Sequence, residues 1–239
     1  MRKNREIRSY ITEQSQMSES LIVSFFLAFS GGFQDAYTYI SRGSVFANAQ
    51  TGNIVLMSTS FLQGNLFGGL RYLYPISAFV LGVFISHIIE KRFNKLKVVH
   101  WRQIILIAEI LILFSVGFLP EKLNSLANVL VSFSCAMQVQ AFRTVGGGIT
   151  YASTMCVGNL RGGTAALAEA IMDKDRAKLR TSLYYFAVIF VFALGAGTGA
   201  VLSMKTNLNI IWICCILLAI ASLLMDLDRK AFRKNEKKK

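Results

Sequence analysis

From residue 21 onward, long apolar runs alternate with short polar segments. Runs at 21–40, 72–89, 103–119, 123–142, 181–204 and 208–225 each approach the roughly 20 residues that a helix needs to cross a bilayer. Two stretches depart from that pattern. Stretch 42–62 carries Asn48, Gln50, Thr51 and Asn53 in its first half and is apolar and helix-like over 54–62. Stretch 151–172 carries Gly158, Asn159, Arg161 and Glu169. Each predicts a broken element, irregular backbone leading into a half-helix. At membrane depth such an element is tolerated only when buried in protein or lining a wet cavity. No alternation of period two is present, which argues against an outer-membrane barrel. The pattern predicts an all-α, polytopic helical membrane protein with about six transmembrane helices and two broken or re-entrant elements.

The polar pattern repeats. Gln34, Gly52 and Asn53 fall on Gln140, Gly158 and Asn159 at an offset of 106, with Gln138-Val139-Gln140-Ala141-Phe142 opening the second copy. Phe79-Val80-Leu81-Gly82 falls on Phe192-Ala193-Leu194-Gly195 at an offset of 113. Each half therefore reads span, broken element, span, span. The expected organisation is a polar cytoplasmic tail over 1–20, a first membrane repeat over 21–119, a second over 120–226 and a basic cytoplasmic tail over 227–239. Residues 1–20 suit a surface helix or a tail, and Ser18-Glu19 suits a helix start. Run 21–29 with Ala28-Phe29-Ser30 also fits a cleavable signal. The apolar sequence after Gly32 and a counterpart near 126–142 favour a mature first span.

Charge decides the expected topology. The chain carries 26 Lys and Arg against 13 Asp and Glu, a formal charge of +13. The basic residues sit between apolar runs and at the two ends, as cytoplasmic loops of membrane proteins do, so no nucleic-acid partner is expected. If every element crossed fully, the five Lys and Arg of loop 91–102 would face outside. If the two broken elements enter and leave on one side, six crossings remain, and loops 91–102 and 173–180 and both ends are inside. Three crossings per half then make the halves an inverted repeat, an architecture of transporters with a midplane site.

The residues Gly32-Phe33-Gln34-Asp35-Ala36, Gly43, Phe46 and Gln50-Thr51-Gly52-Asn53 resemble those of the YoaK-type bacterial transmembrane family, a family of unknown function. The resemblance runs from about residue 20 to 226 and implies a multi-pass protein of the bacterial plasma membrane. It implies no activity. The family's second-half pattern resembles Gly-x-Gln-Asn-Ala followed by Thr-Gly, and here its first Gly, its Asn and its Thr are replaced.

The candidate chemistry is polar sequence inside apolar sequence. Such residues mark function or pairing, because a polar group at membrane depth is costly. The expected substrate or ion pathway is Gln34, Asp35, Gln50, Thr51, Gly52, Asn53, Gln140, Arg143, Gly158, Asn159 and Arg161, with Glu109 as a proton relay. For Asp35 the competing expectation is a structural ion pair with Arg143 or Arg161. Gly52 and Gly158 are expected to free the backbone at the breaks. Cys135, Cys156, Cys214 and Cys215 lie in apolar sequence and, with His87 and His100 isolated, give no metal or disulfide pattern. No cofactor is expected. The resulting expectation is a transporter or channel for a small polar solute or ion, embedded in the lipid bilayer and open to homo-oligomerisation. The alternatives are a membrane-embedded enzyme, for which no catalytic pattern is present, and a non-transporting scaffold.

Overall fold

The computed structural model describes residues 20–93, 101–145, 149–151 and 153–236. The proposed surface helix in the N-terminal tail, the middle of basic loop 91–102, Gly146-Gly147-Gly148 and the last lysines lie outside the described residues. Eight α-helices are described: α1 (Leu21–Ser41), α2 (Gln50–Leu62), α3 (Leu66–Phe93), α4 (Trp101–Val116), α5 (Asn124–Ala141), α6 (Cys156–Asp173), α7 (Arg176–Lys205) and α8 (Trp212–Glu236). The all-α expectation holds apart from one short hairpin. There β1 (Thr144–Val145) pairs antiparallel with β2 (Ile149–Thr150) across the glycine run.

Helix starts follow local capping chemistry. Ser20, rather than the expected Ser18, caps α1 by accepting from the Val23 amide at 3.2 Å. Asp175 caps α7 through the Ala177 amide at 2.7 Å. α3 and α7 begin before the apolar runs that announced them, at Leu66 and Arg176, because helical hydrogen bonds continue through the flanking residues. By length and composition, Leu66–Phe93, Arg176–Lys205 and Leu208–Leu227 can each cross a membrane. They mark a membrane protein.

Hydrogen bonds order the helix ends. At one end of the bundle, Arg42 after α1 donates to the carbonyls of Val116 at 2.9 Å and Leu119 at 2.8 Å, and to Asn124 Oδ1 at 3.1 Å. Ser41 donates to Ser203 O of α7, and Tyr37 donates to Leu208 O just before α8. The Arg71 side chain of α3 lies against Gly43. The Arg42 end therefore gathers the ends of α1, α4 and α7 and the starts of α3, α5 and α8. At the opposite, Arg102 end, Arg102 donates to Ala141 O at 2.9 Å, Arg143 pairs with Glu90 at 3.2 Å, and Tyr184 of α7 donates to Ser24 of α1.

The two broken elements begin in between. After Arg42 the chain doubles back along α1 until Asn48 donates to Gly31 O at 3.2 Å. Eleven residues of helix separate these levels, about 16 Å at 1.5 Å per residue. α2 starts at that depth, turns at Gly64 (φ 77) and hands over to α3 at the Arg42 end. In the second half, Thr154 reaches the same Gly31, and α6 then leads to the start of α7 at the Arg102 end. The element-to-element packing has a matching order. α1 packs on α7 and α5 on α3; α2 packs on α3 and α6 on α7; α8 packs on α1 and α4 on α5. The main apolar core lies among α1, α4, α5 and α8.

Candidate functional site

The site is built on the middle of α1. Gly31 and Gly32 would weaken an isolated helix, by about 1 kcal/mol each relative to alanine. Here both are needed for close approach. A Cβ on Gly32 would strike the Phe192 carbonyl of α7, and one on Gly31 would strike Thr154. One turn along from Gly31 stands Asp35, and a second face of α1 presents Ser30 and Gln34, all three buried.

Glu109 of α4 is fully buried and meets that face. Gln34 Nε2 donates to Glu109 Oε1 at 3.1 Å and to Ser30 Oγ at 3.0 Å, while Gln34 Oε1 accepts from Cys135 Sγ at 2.8 Å. Gln138 of α5 approaches the same carboxyl from the other side. Its nitrogen, turned toward an ionised Glu109, donates to the two oxygens at 3.2 and 3.3 Å, and its oxygen accepts from Ser153 Oγ at 3.1 Å. One carboxyl is thus held between two glutamines from different halves of the chain.

Asp35 plays a different part. It accepts from the Asn48 backbone amide at 2.7 Å, two residues before α2 begins. α2 has no side-chain cap of its own, and this carboxyl from α1 stands against the backbone just ahead of its N-terminus, the end where negative charge is favoured. Neither Asp35 nor Glu109 forms an ion pair among the described residues. Beside Asp35, the tips of the two broken segments meet at Gly31. Asn48 Oδ1 and Thr154 Oγ1, one from each tip, are buried and have no hydrogen-bond partner among the described residues.

Several expectations are corrected. The match of Gln34 to Gln140 is replaced by Gln34 to Gln138, an offset of 104. The same offset relates Phe29 to Phe133, whose carbonyls abut Gly195 and Gly82, and Phe33 to Met137, whose backbones abut Gly199 and Ser86. Two residues turn a helix by about 200°, so Gln140 faces away from the centre, toward His87 at 3.5 Å. The offset of 106 does hold for the half-helices, in which Asn53 and Asn159 are each the fourth residue. The ion pair of Asp35 with Arg143 or Arg161 is overturned: Arg143 pairs with Glu90, and Arg161 is exposed on α6. Thr51 is exposed. Gln50 donates to Ala47 O, and Asn53 accepts from the Phe46 amide and donates to the Phe46 carbonyl, so both brace their own loop. Asn159 is buried and partnered. Gly52 and Gly158 have no positive φ; that conformation falls to Gly43 (φ 92) and Gly64 (φ 77).

The centre also holds Gln138, Asn48, Ser153 and Thr154, which were not among the expected site residues, and Arg42, likewise not among them, holds one end of the bundle together. A signal for Gln138 existed. Phe29-Ser30-Gly31-Gly32-Phe33-Gln34 and Phe133-Ser134-Cys135-Ala136-Met137-Gln138 share Phe, Ser and Gln, with small residues between. At the Arg42 end lies an open basin of about 920 Å³, lined by Ser41, Glu121, Asn124, Asn207 and Trp212 among others. It does not reach the carboxyls. Tyr37, about one turn along α1 from Gln34, is bonded to Arg42 Nε at 2.8 Å and to Leu208 O, on the basin's wall, at 2.8 Å.

A helical membrane protein with two buried carboxyls at the junction of two interrupted helices is the class this geometry defines. The chain belongs to a family described as protein of unknown function (DUF1275), whose sequence model matches residues 23–224, in keeping with the YoaK-type resemblance. Neither a curated protein nor a solved structure matches it.

Proposed function

We propose that the chain is a multi-pass transporter or channel of the bacterial plasma membrane, which moves a small polar solute or ion through the junction of its two broken segments. One observation carries this reading. The tips of the two broken segments meet at Gly31 beside the Asp35 residue, and each tip carries a buried oxygen, Asn48 Oδ1 and Thr154 Oγ1, with no hydrogen-bond partner among the described residues. Unsatisfied buried polar atoms are costly, and a protein retains them where a ligand is to meet them.

The same geometry supports a topology of six crossings and two re-entrant segments. α1, α3, α4, α5, α7 and α8 run between the two ends, and α2 and α6 enter from opposite ends and return. α2 is about 20 Å long, too short for a hydrocarbon core of about 30 Å. The packing order survives exchange of residues 21–119 with 120–226, as expected of an inverted repeat. The gathering of Lys91, Arg92, Arg102, Lys174 and Arg176 at the Arg102 end supports a cytoplasmic placement of that end, by the excess of Lys and Arg on the inner side of membrane proteins. The basin at the Arg42 end is then an outward vestibule.

Uptake into proteoliposomes of a panel of labelled inorganic ions and small polar solutes tests the reading. The wild type moves at least one of them, and Asp35→Asn slows that flux at least tenfold. A correctly folded wild type that moves none of the panel, or an Asp35→Asn variant with full flux, overturns it.

A further inference from the structure

We propose that Glu109 is a proton-binding site, and that the Gln138 amide turns over with its protonation and passes the change to Ser153 at the second tip. The coupling of this event to transport rests on the reading above; the proton site itself does not.

The ligand follows from the donor set. Glu109 is fully buried, and the groups that hold it are amides. A hard metal cation needs about six oxygen ligands around it. Gln34 Oε1 is instead engaged by Cys135 Sγ. The other titratable groups facing Glu109 are Cys135 on α5 and Cys214 and Cys215 on α8. Cys135 in turn faces Asp35 on α1, and none of these groups is basic. No cage for a metal ion is present among these groups, and a proton needs none.

The switch follows from Gln138, whose amide is satisfied in one orientation beside an ionised Glu109 and would be satisfied in the other beside a protonated one. With Glu109 ionised, Nε2 faces the carboxylate and Oε1 accepts from Ser153 Oγ at 3.1 Å. When Glu109 takes up a proton, its new O–H needs an acceptor. The amide turned over presents Oε1 to that O–H, and Nε2 then donates to Ser153 Oγ at 3.1 Å and to Leu27 O at 3.5 Å. Ser153 changes from donor to acceptor, which a hydroxyl can do without moving. It adjoins Thr154, whose hydroxyl is unpartnered at the junction. One proton bound at Glu109 thus reorients a hydroxyl at the tip of the second broken segment, and its release to water reverses the change. Gln34 is held on its other side by Ser30 and Cys135, so the turn belongs to Gln138.

The test is an infrared pH titration of the full chain in lipid, following the carbonyl stretch of a buried protonated carboxyl. It is paired with proteoliposomes that hold a pH-sensitive dye under an imposed potassium diffusion potential. The wild-type band titrates with pH and ignores sodium; it is absent in Glu109→Gln and present in Asp35→Asn. Gln138→Leu removes a donor from the ionised form and raises proton affinity about tenfold. Ser153→Ala keeps the band and loses proton movement at least tenfold. Glu109→Asp, which keeps a carboxyl, displaces the band's midpoint and guards against a folding defect in Glu109→Gln. A band that persists in Glu109→Gln, or that follows sodium rather than pH, overturns the proton site. Ser153→Ala with wild-type proton movement overturns the relay. If the band behaves as stated and the liposomes move neither proton nor solute, the proton site stands and the transport reading fails.

Discussion

Arg42 is the largest fully buried side chain among the described residues, and no acid meets it. Its charge faces the C-terminal carbonyls of α4, where the helix dipole is negative, and its remaining donors go to Tyr37 and Asn124. Removing it leaves several buried acceptors unpaired at about 1–3 kcal/mol each. Arg42→Ala is therefore expected to cost about 4 kcal/mol, read as a lowered thermal midpoint in detergent; a midpoint near the wild type's would refute the clamp. Asp35 separates two roles. Asp35→Asn keeps an oxygen for the Asn48 amide and should stay within about 1 kcal/mol of the wild type, whereas Asp35→Ala loses that bond and about 1–2 kcal/mol more. Adding Arg143→Gln to either variant should restore nothing, since Arg143 serves Glu90. A rescue would revive the ion pair.

Among the elements, close crossings rest on glycine. Gly195 of α7 lies against the Phe29 carbonyl of α1, and Gly82 of α3 against the Phe133 carbonyl of α5. A methyl at either position meets backbone, which cannot move aside as a side chain can. Gly195→Ala and Gly82→Ala are each expected to cost about 1–3 kcal/mol. Gly197, two residues along α7, has open space around it. Gly197→Ala should be neutral or stabilising, by up to about 1 kcal/mol from helix propensity. Thermal melts of the three variants side by side check this, and equal effects at 195 and 197 would mean that the α1–α7 crossing is looser than described. The half-helices are unequal in their packing. α2 buries Asn53 alone, whereas α6 buries Asn159, Gly163, Ala166 and Ala170 and accepts a bond from Ser182 at Gly163 O.

Over the whole molecule, the proposed topology makes a labelling pattern. In a background lacking Cys135, Cys156, Cys214 and Cys215, single cysteines replace Asn65, Asn124, Asn207 and Asp175. A membrane-impermeant thiol reagent added to intact cells should reach positions 65, 124 and 207, and position 175 only after permeabilisation. Position 65 is the decisive one, because it follows α2. If α2 crossed fully, 65 would be protected, and the opposed re-entry of α2 and α6 would fall with it.

The class of fold was legible in the chain because apolar length is a local property: about 20 apolar residues make a helix that can span, whatever surrounds it. The half-helix starts near Gln50 and Cys156 were legible for a similar reason, since polar and small residues interrupt the apolar runs at equivalent places. The centre was only half legible. Asp35 and Glu109 stood out as acids in apolar sequence, but their partners did not. An amide reads alike wherever it sits in a helix, and which face it presents depends on the crossing of α1, α4 and α5. Gln140 and Gln138 lie two residues apart and nearly on opposite faces, so the packing had to choose between them. Nothing local marks Arg42 as buried, because its carbonyl and Asn124 partners come from 74 to 82 residues away. Sequence by itself determined what could be buried. Tertiary structure alone decided which buried groups meet, because contacts of that kind come from helix crossings that no local pattern encodes.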